Sequence, residues 1–119
     1  MLEKIFTTKG RLNRLAYLKY MIGFSVVSFL INFIVAFVFV ALTGNQESTV
    51  LNILSVIVTL PMTIGSIMAG IRRLHDLNRS GWFMLIVLIP IVDVIFGLYM
   101  LFRRGTEGSN KYGEDPLII

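Results

Sequence analysis

The chain has 119 residues, of which 55% are hydrophobic and 15% charged, and its mean hydropathy is +0.79. This composition is far from that of soluble globular domains and indicates a membrane protein, because too little polar sequence remains to cover a water-soluble core. There is no cysteine and one histidine, which excludes thiolate chemistry and argues against a histidine-built metal site. We therefore expect one all-α membrane domain over residues 1–119, with no metal and no cofactor.

The amino-terminal part of the chain combines a basic segment with a first apolar run. Residues 21–42 contain no charge, and their number is close to the ~20 residues that a helix needs to cross a bilayer. No small-residue cleavage pattern clearly follows the run, so we interpret it as an uncleaved membrane helix. The preceding residues 1–20 are predicted to be a cytoplasmic segment; their basic residues are Lys4, Lys9, Arg11, Arg14 and Lys19.

A second uncharged run, 50–71, shares a polar pattern with the first. Each run has small and polar residues at helical spacing, which places them on one face of a helix. Because membrane helices associate through close approach and hydrogen bonds, we predict that the two helices pack antiparallel along these polar seams. Asn32 is then level with Thr59 and Thr63 and is expected to hydrogen-bond across the pair. The alternative is that the seams line a water-filled path. The seams are Ser25, Ser28, Asn32 and Ala36 in the first run, and Asn52, Ser55, Thr59, Thr63, Ser66 and Gly70 in the second.

The third run, 82–102, has the length of a membrane helix but contains Pro90 and Asp93. It predicts a third span. The alternative is a break at Pro90 to Asp93, so that the halves 82–89 and 94–102 form a re-entrant hairpin. An acid at this depth costs roughly 2.5 to 3.5 kcal/mol. Asp93 is therefore a hypothetical proton or ion site with Asn32, Thr59 or Thr63, or else a protonated carboxyl or a hydrated carboxylate at the break.

The distribution of basic residues predicts the orientation. The loop 43–49 has no Lys or Arg, whereas the loop 72–81 has three. With the amino terminus in the cytoplasm, three spans place eight Lys and Arg inside and three outside, in agreement with the positive-inside rule. The turn-rich tail, 103–119, then lies outside. The hairpin would instead return the tail to the cytoplasm.

The loop that joins the second and third runs is rich in groups that bind anions. Its arginines suit phosphate oxygens, and we predict that they hold an anionic lipid headgroup together with Arg11 or Arg14. The alternative is that the arginines only retain the loop inside, with Ser80 capping the third helix and Trp82 anchoring it at the interface. The predicted headgroup residues are Arg11, Arg14, Arg72, Arg73, His75, Asp76, Arg79 and Trp82.

Several motifs recur in an order that resembles the DUF805 family. They are Gly10-Arg11 with Arg14 and Tyr17, then Arg72-Arg73-Leu74-His75-Asp76, Arg79-Ser80-Gly81-Trp82, Pro90, and a tail Gly105-Thr106-Glu107-Gly108-Ser109-Asn110-Lys111-Tyr112-Gly113-Glu114-Asp115-Pro116. The resemblance covers residues 10–116 and implies a small protein of the bacterial inner membrane, which the apolar runs predict to be multi-pass. It implies no reaction, since the family is defined without an established biochemical function.

These patterns favour a protein that acts by binding, to anionic lipid of the bilayer or to a larger membrane complex. The alternative is an oligomeric transporter or channel component for protons, ions or a small solute. We expect no enzyme, because no catalytic arrangement has motif support, although His75 acting on lipid headgroups ranks as a third hypothesis. The basic excess beside apolar runs points to lipid and not to nucleic acid. A homo-oligomer is compatible with either leading hypothesis.

Overall fold

A computed structural model of the protein describes residues 2–44 and 48–113. In these residues the regular secondary structure is helical, which confirms the predicted all-α class. The loop residues Asn45, Gln46 and Glu47 and the last tail residues, Glu114-Asp115-Pro116 among them, lie outside the described part. The elements are α1 (Leu2–Ile5), α2 (Arg14–Thr43), α3 (Thr49–Asp76), a 3₁₀ helix (Gly81–Leu88) and α4 (Val92–Phe102).

Helices α2 and α3 are both long and apolar enough to cross a membrane. Each extends beyond its apolar run, 21–42 or 50–71, into basic sequence. Local capping explains the outer limits: the Asn13 side chain accepts from the Ala16 amide, Ser48 accepts from Val50, and Gly44 ends α2 in the left-handed conformation. The most apolar window of α2 is 0% buried and that of α3 is 11% buried, which is unlike the core helix of a soluble protein.

The two long helices pack antiparallel, and the polar seams lie partly between them. Gly65 of α3 contacts the Phe24 ring of α2, and Ser28, Asn32 and Thr59 are half-buried. Other members of the seams are exposed; these are Ser25, Asn52 and Thr63. The predicted packing along the seams is therefore met only in part.

The hydrogen bonds of the seams differ from the prediction. The Asn32 amide donates to the Ser28 carbonyl at 2.9 Å, Thr59 donates to Ser55 at 2.7 Å, and Thr63 donates to Thr59 at 3.1 Å. The predicted bond from Asn32 across the helix pair is wrong. The carbonyl four residues earlier lies within reach of a short side chain, and it satisfies the polar group without a neighbouring helix.

The third apolar run, 82–102, is not one straight helix. It forms the 3₁₀ helix, a turn at residues 89–91 and α4, as the hairpin alternative predicted, and the prediction of three membrane helices is not confirmed. Pro90 has no amide proton and restricts the residue before it, which interrupts the helix. Each arm is about 16 Å long, at about 2.0 Å per residue in the 3₁₀ arm and 1.5 Å in α4, and so neither arm crosses a core of ~30 Å.

The buried core lies at the basic end of the molecule. Here the hairpin packs against α2 and α3, and Gly70 of α3 contacts Met84 and Met100 from the two arms. The other halves of α2 and α3, beyond the reach of the hairpin, form a two-helix pair. The buried apolar cluster comprises Leu12, Tyr17, Phe24, Ala69, Leu74, Phe96 and Met100.

Candidate functional site: a buried Arg–Asp–Arg cluster in a basic surface

The last turn of α3 carries a carboxylate that is shared by two arginines. Oδ1 of Asp76 accepts from Nε of Arg11 at 3.1 Å and forms an ion pair with Nη2 of Arg11 at 3.0 Å, and Oδ2 accepts from Nη1 of Arg73 at 2.6 Å. All three residues are buried: Asp76 is 3% exposed to solvent, Arg11 is 7% exposed and Arg73 is 0% exposed. We call these residues the Arg–Asp–Arg cluster.

Arg11 also holds the carboxy-terminal tail. Its Nη1 donates to the carbonyls of Gly108 at 2.7 Å and Gly113 at 3.2 Å, and its Nη2 donates to Thr106 at 2.6 Å. All of these acceptors are backbone oxygens, which a guanidinium reaches with its planar set of five donors. Arg11 therefore joins the start of the chain to the turns that follow α4.

Arg73 holds the end of the hairpin in the same manner. Its Nε donates to the Met100 carbonyl at 2.6 Å, its Nη1 donates to Leu12 at 3.3 Å, and its Nη2 donates to Arg103. The last carbonyls of a helix have no partner within the helix and carry partial negative charge. Arg73 thus caps α4 and ties it to the end of α3.

The electrostatics of the cluster follow from its burial. Asp76 neutralises one of the two arginines, and six backbone carbonyls solvate the remaining charge. Arg73 lies beyond the apolar run that ends at Ile71, and burial lowers its pKa, an effect that the nearby Asp76 carboxylate partly offsets. An arginine pKa begins so high that the side chain stays charged.

The tail closes over the cluster through close backbone approach. The Thr106 amide donates to the Asp76 carbonyl at 2.7 Å, and a side chain on Gly105 would overlap the Asp76 carboxylate. Farther along the tail, the side-chain amide of Asn110 donates to the backbone carbonyl of His75 at 2.9 Å. Gly105 is thus required because the backbone must pass directly over Asp76.

His75 packs between the amino-terminal segment and the tail. Its ring stacks on Tyr112 with centroids 3.9 Å apart and an angle of 2°, and Nδ1 lies 3.1 Å from the Gly10 carbonyl. Because a carbonyl only accepts, Nδ1 carries the proton in this arrangement. Burial lowers the pKa of His75, and the bond to Gly10 opposes this shift. His75 lies beyond the apolar run and serves here as a neutral packing residue.

The remaining headgroup residues lie around the cluster on the surface. Arg14 donates to the Phe102 carbonyl at 3.3 Å, and Arg79 lies 5.9 Å from the centre of the Phe83 ring. Arg72 donates to the Lys4 carbonyl at 3.0 Å. Trp82 is exposed at the start of the hairpin, where its amide donates to Ser80, and this bond confirms the predicted cap.

The polar residues predicted to form an intramembrane site do not converge. Asp93 is half-buried in the first turn of α4, at the tip of the hairpin. Within residues 2–44 and 48–113, no hydrogen bond joins it to Asn32, Thr59 or Thr63. Its position at the turn after Pro90 is the break that the sequence predicted. In the same residues no group of three His, Asp or Glu side chains is placed to hold a metal ion.

The sequence missed most partners of the cluster, because they are backbone carbonyls. Leu12, Met100 and Arg103 contribute through their main chain and carry no side-chain signal. In the tail the signal is its glycine-rich pattern, which by itself predicts only a set of turns. Its glycines and Asn110 mark backbone that passes close to another element, and the structure shows Arg11 as the group that this backbone approaches.

These features define a class of protein: a helical membrane protein whose arginines organise its basic end. The chain belongs to a family described as "Protein of unknown function (DUF805)", whose model matches residues 5–114. The motifs from which the resemblance was drawn include both arginines and the aspartate of the cluster, as well as the tail that closes over them.

Two proteins of Escherichia coli K12 are similar to the chain. The inner membrane protein YhaI is 45% identical over 47 residues, and the inner membrane protein YhaH is 42% identical over 45 residues. The matched part covers 40% of this chain and 40% of YhaI, and 38% of this chain and 37% of YhaH. The matches thus span about two fifths of these relatives. No solved structure matches the chain. The family and its relatives place the chain among inner-membrane proteins of unknown function.

Proposed function

We propose that the protein binds anionic phospholipid headgroups at the cytoplasmic face of the inner membrane. It crosses the bilayer with α2 and α3, carries the hairpin as a re-entrant element, and has both the amino-terminal segment and the tail in the cytoplasm. Its exposed lysines and arginines form a basic surface at the level of the headgroups. The Arg–Asp–Arg cluster holds this surface together.

The observation that carries this proposal is the position of the basic residues. The sequence contains eleven Lys and Arg, and all of them lie at one end of the molecule. The hairpin brings Arg103, Arg104 and Lys111 back beside α3, because Arg73 binds the Arg103 carbonyl and Tyr112 stacks on His75. The positive-inside rule is then obeyed without the three exceptions that a straight third span requires.

Most of these charges remain available to a ligand. Arg11 and Arg73 are buried among protein acceptors, so that the headgroup hypothesis no longer rests on them. Among the acidic side chains described at this end, Asp76 belongs to the cluster and Glu107 pairs with Arg104 at 2.9 Å. Each basic residue near an anionic leaflet contributes about 1 kcal/mol of favourable electrostatic free energy to the interaction with the membrane surface. The positive charge that remains unpaired at this end therefore favours anionic lipids such as phosphatidylglycerol over zwitterionic ones.

The proposal is tested with purified protein in detergent micelles that contain equal amounts of phosphatidylglycerol and phosphatidylcholine. Native mass spectrometry counts the lipids retained. We expect enrichment of phosphatidylglycerol, and we expect a triple variant, Lys9→Gln, Arg79→Gln and Lys111→Gln, to lose part of it. A charge-preserving control, Lys9→Arg, Arg79→Lys and Lys111→Arg, should keep it. Equal retention of the two lipids by the parent protein would overturn the proposal.

A further inference from the structure

A groove with a basic rim opens on the lipid-facing side of α2. It encloses about 380 Å³, which is within the size range of ligand pockets. Its walls are apolar and are built from Phe6, Phe24, Val27 and Met62, whereas Lys19 and Tyr20 lie at its rim. The interior of the groove is therefore apolar, and its one charged lining residue, Lys19, lies at the end nearest the start of α2.

Arg72 places a second cation beside the groove, next to Tyr20, although it does not itself line the groove. Its guanidinium lies 5.5 Å from the centre of the Tyr20 ring, and Tyr20 lines the groove. In the described part of the chain, Nε of Arg72 is a buried donor without an acceptor, and the guanidinium bonds through Nη1 to Lys4. Leaving a buried charged donor unpaired is costly. Arg72 thus differs from Arg11 and Arg73, whose donors are used by the protein.

The groove crosses the boundary between headgroups and acyl chains. Lys19 precedes the apolar run 21–42, whereas Val27 lies about 12 Å farther along α2, at a rise of about 1.5 Å per residue. Met62 of α3 lies within the apolar run 50–71. A free phosphate would use only the rim and leave the apolar wall without a partner. A phospholipid matches both ends.

We infer that this groove is a discrete binding site for one anionic glycerophospholipid, with its phosphate between Lys19 and Arg72 and an acyl chain along Phe24, Val27 and Met62. This inference rests on the proposed function and adds a stoichiometric site to the general basic surface. The protein thereby carries one tightly held lipid in addition to those that exchange freely around it.

Gly23 provides a variant that tests the apolar part of the site. It lines the groove, and a Cβ atom added there would meet no atom within 4 Å. Gly23→Leu therefore fills the groove, changes no charge and improves helix propensity. Gly97→Leu is the matched control, since Gly97 also has open space but lies in α4. For the rim, Lys19→Gln and Arg72→Gln are compared with Lys111→Gln.

The measurement is titration of the purified protein with phosphatidylglycerol, followed by native mass spectrometry, with phosphatidylcholine and inorganic phosphate as separate competitors. We expect one phosphatidylglycerol to bind more tightly than the rest, and its affinity to fall about tenfold in Gly23→Leu and in each rim variant. Gly97→Leu and Lys111→Gln should bind this one lipid as tightly as the parent does, although Lys111→Gln weakens the freely exchanging lipids of the basic surface. Thermal unfolding identifies any variant that fails to fold. If Arg72→Gln does not fold, Gly23→Leu and Lys19→Gln each still test the site.

The outcomes separate this inference from the proposed function. If phosphatidylglycerol is preferred but no variant of the groove weakens one lipid more than the controls do, the basic surface stands and the discrete site is wrong. If inorganic phosphate displaces the tight lipid at equal concentration, the apolar wall contributes nothing and the inference is overturned. If phosphatidylcholine binds as well as phosphatidylglycerol, the proposed function fails as well.

Discussion

Asp76 is the residue on which the basic end of the molecule depends. It places one carboxylate between two buried arginines that would otherwise repel each other. The geometry also explains the charge balance, because each carboxylate oxygen serves a different arginine. Removing one partner of a buried ion pair leaves the others with an uncompensated charge.

We predict that Asp76→Asn lowers the free energy of unfolding by about 3–5 kcal/mol, the usual cost of breaking a buried pair. Thermal unfolding of the purified protein in detergent measures this change. The control is Glu107→Gln, which breaks the exposed pair with Arg104 and should leave the melting temperature nearly unchanged, since solvent screens such pairs. A similar effect of the two substitutions would contradict a structural role for the cluster.

Gly105 gives a second prediction at this scale. A methyl group there would overlap the Asp76 carboxylate, and Asp76 cannot turn away because both arginines hold it. Gly105→Ala is therefore expected to cost about 1–3 kcal/mol, as overpacking does, and to release the tail.

Limited trypsin digestion reports this release through cleavage after Lys111. The exposed Ser109 lies in the same tail, and Ser109→Ala should be cut at the rate of the parent. If Gly105→Ala is equally resistant, the tail does not depend on its close approach to Asp76.

The hairpin is the element that departs most from regular helix geometry. Eight residues of 3₁₀ helix exceed the usual three or four, and α4, with eleven residues, is too short to be stable alone. At the tip, the Val92 amide donates to the Pro90 carbonyl at 2.9 Å around Ile91, whose φ is +73° and ψ −52°. This is a classic γ-turn, a strained conformation for a β-branched residue. Packing against α3 and the cap from Arg73 hold it in place.

We predict that Ile91→Gly stabilises the hairpin by about 1 kcal/mol, because glycine adopts a positive φ readily and the relief of strain exceeds its entropic cost. Ile95→Gly is the matched control: Ile95 is also exposed, but it lies within α4, where glycine should cost about 1 kcal/mol. In thermal unfolding, the melting temperature should rise for Ile91→Gly and fall for Ile95→Gly. A loss of stability in Ile91→Gly as large as that in Ile95→Gly would show that the γ-turn is not strained.

At the scale of the whole molecule, the path of the chain through the membrane decides which groups can act together. With two spans and a hairpin, the amino-terminal segment, the loop after α3 and the tail meet at one face. With three straight spans, Arg11 and its carbonyl partners in the tail would lie on opposite sides of the bilayer, about 30 Å apart. The contacts of Arg11 with Thr106, Gly108 and Gly113 agree only with the first arrangement.

We therefore predict that a reporter fused to the carboxy-terminal end lies in the cytoplasm. Green fluorescent protein at this position should fluoresce and alkaline phosphatase should be inactive, because all eleven basic residues favour retention of this face. Alkaline phosphatase inserted in the loop between α2 and α3, which has no Lys or Arg, should be active. An active phosphatase at the carboxy terminus would restore the third span and separate the tail from Arg11.

The sequence by itself determined the features that depend on neighbouring residues or on composition. Charge-free runs of sufficient length predicted α2 and α3, the positions of Lys and Arg predicted the basic face, and Pro90 with Asp93 marked the possible break. The motifs carried the family resemblance, and Ser80 was identified as a cap. These are local properties, because helix formation, helix capping and the transfer of an apolar helix into the bilayer depend on residues within a few turns of each other.

Only the tertiary structure decided between a third span and a hairpin, and with it the role of the arginines. The sequence predicts a lipid phosphate beside Arg11, Arg73 and Asp76, and the structure brings these three residues together and surrounds the two guanidiniums with backbone carbonyl oxygens. A phosphate oxygen and a peptide oxygen satisfy a guanidinium in the same way, so residue types cannot distinguish them. The choice depends on which backbone comes within 3 Å of each arginine, and residues separated by 60 to 100 positions are brought together only by the fold.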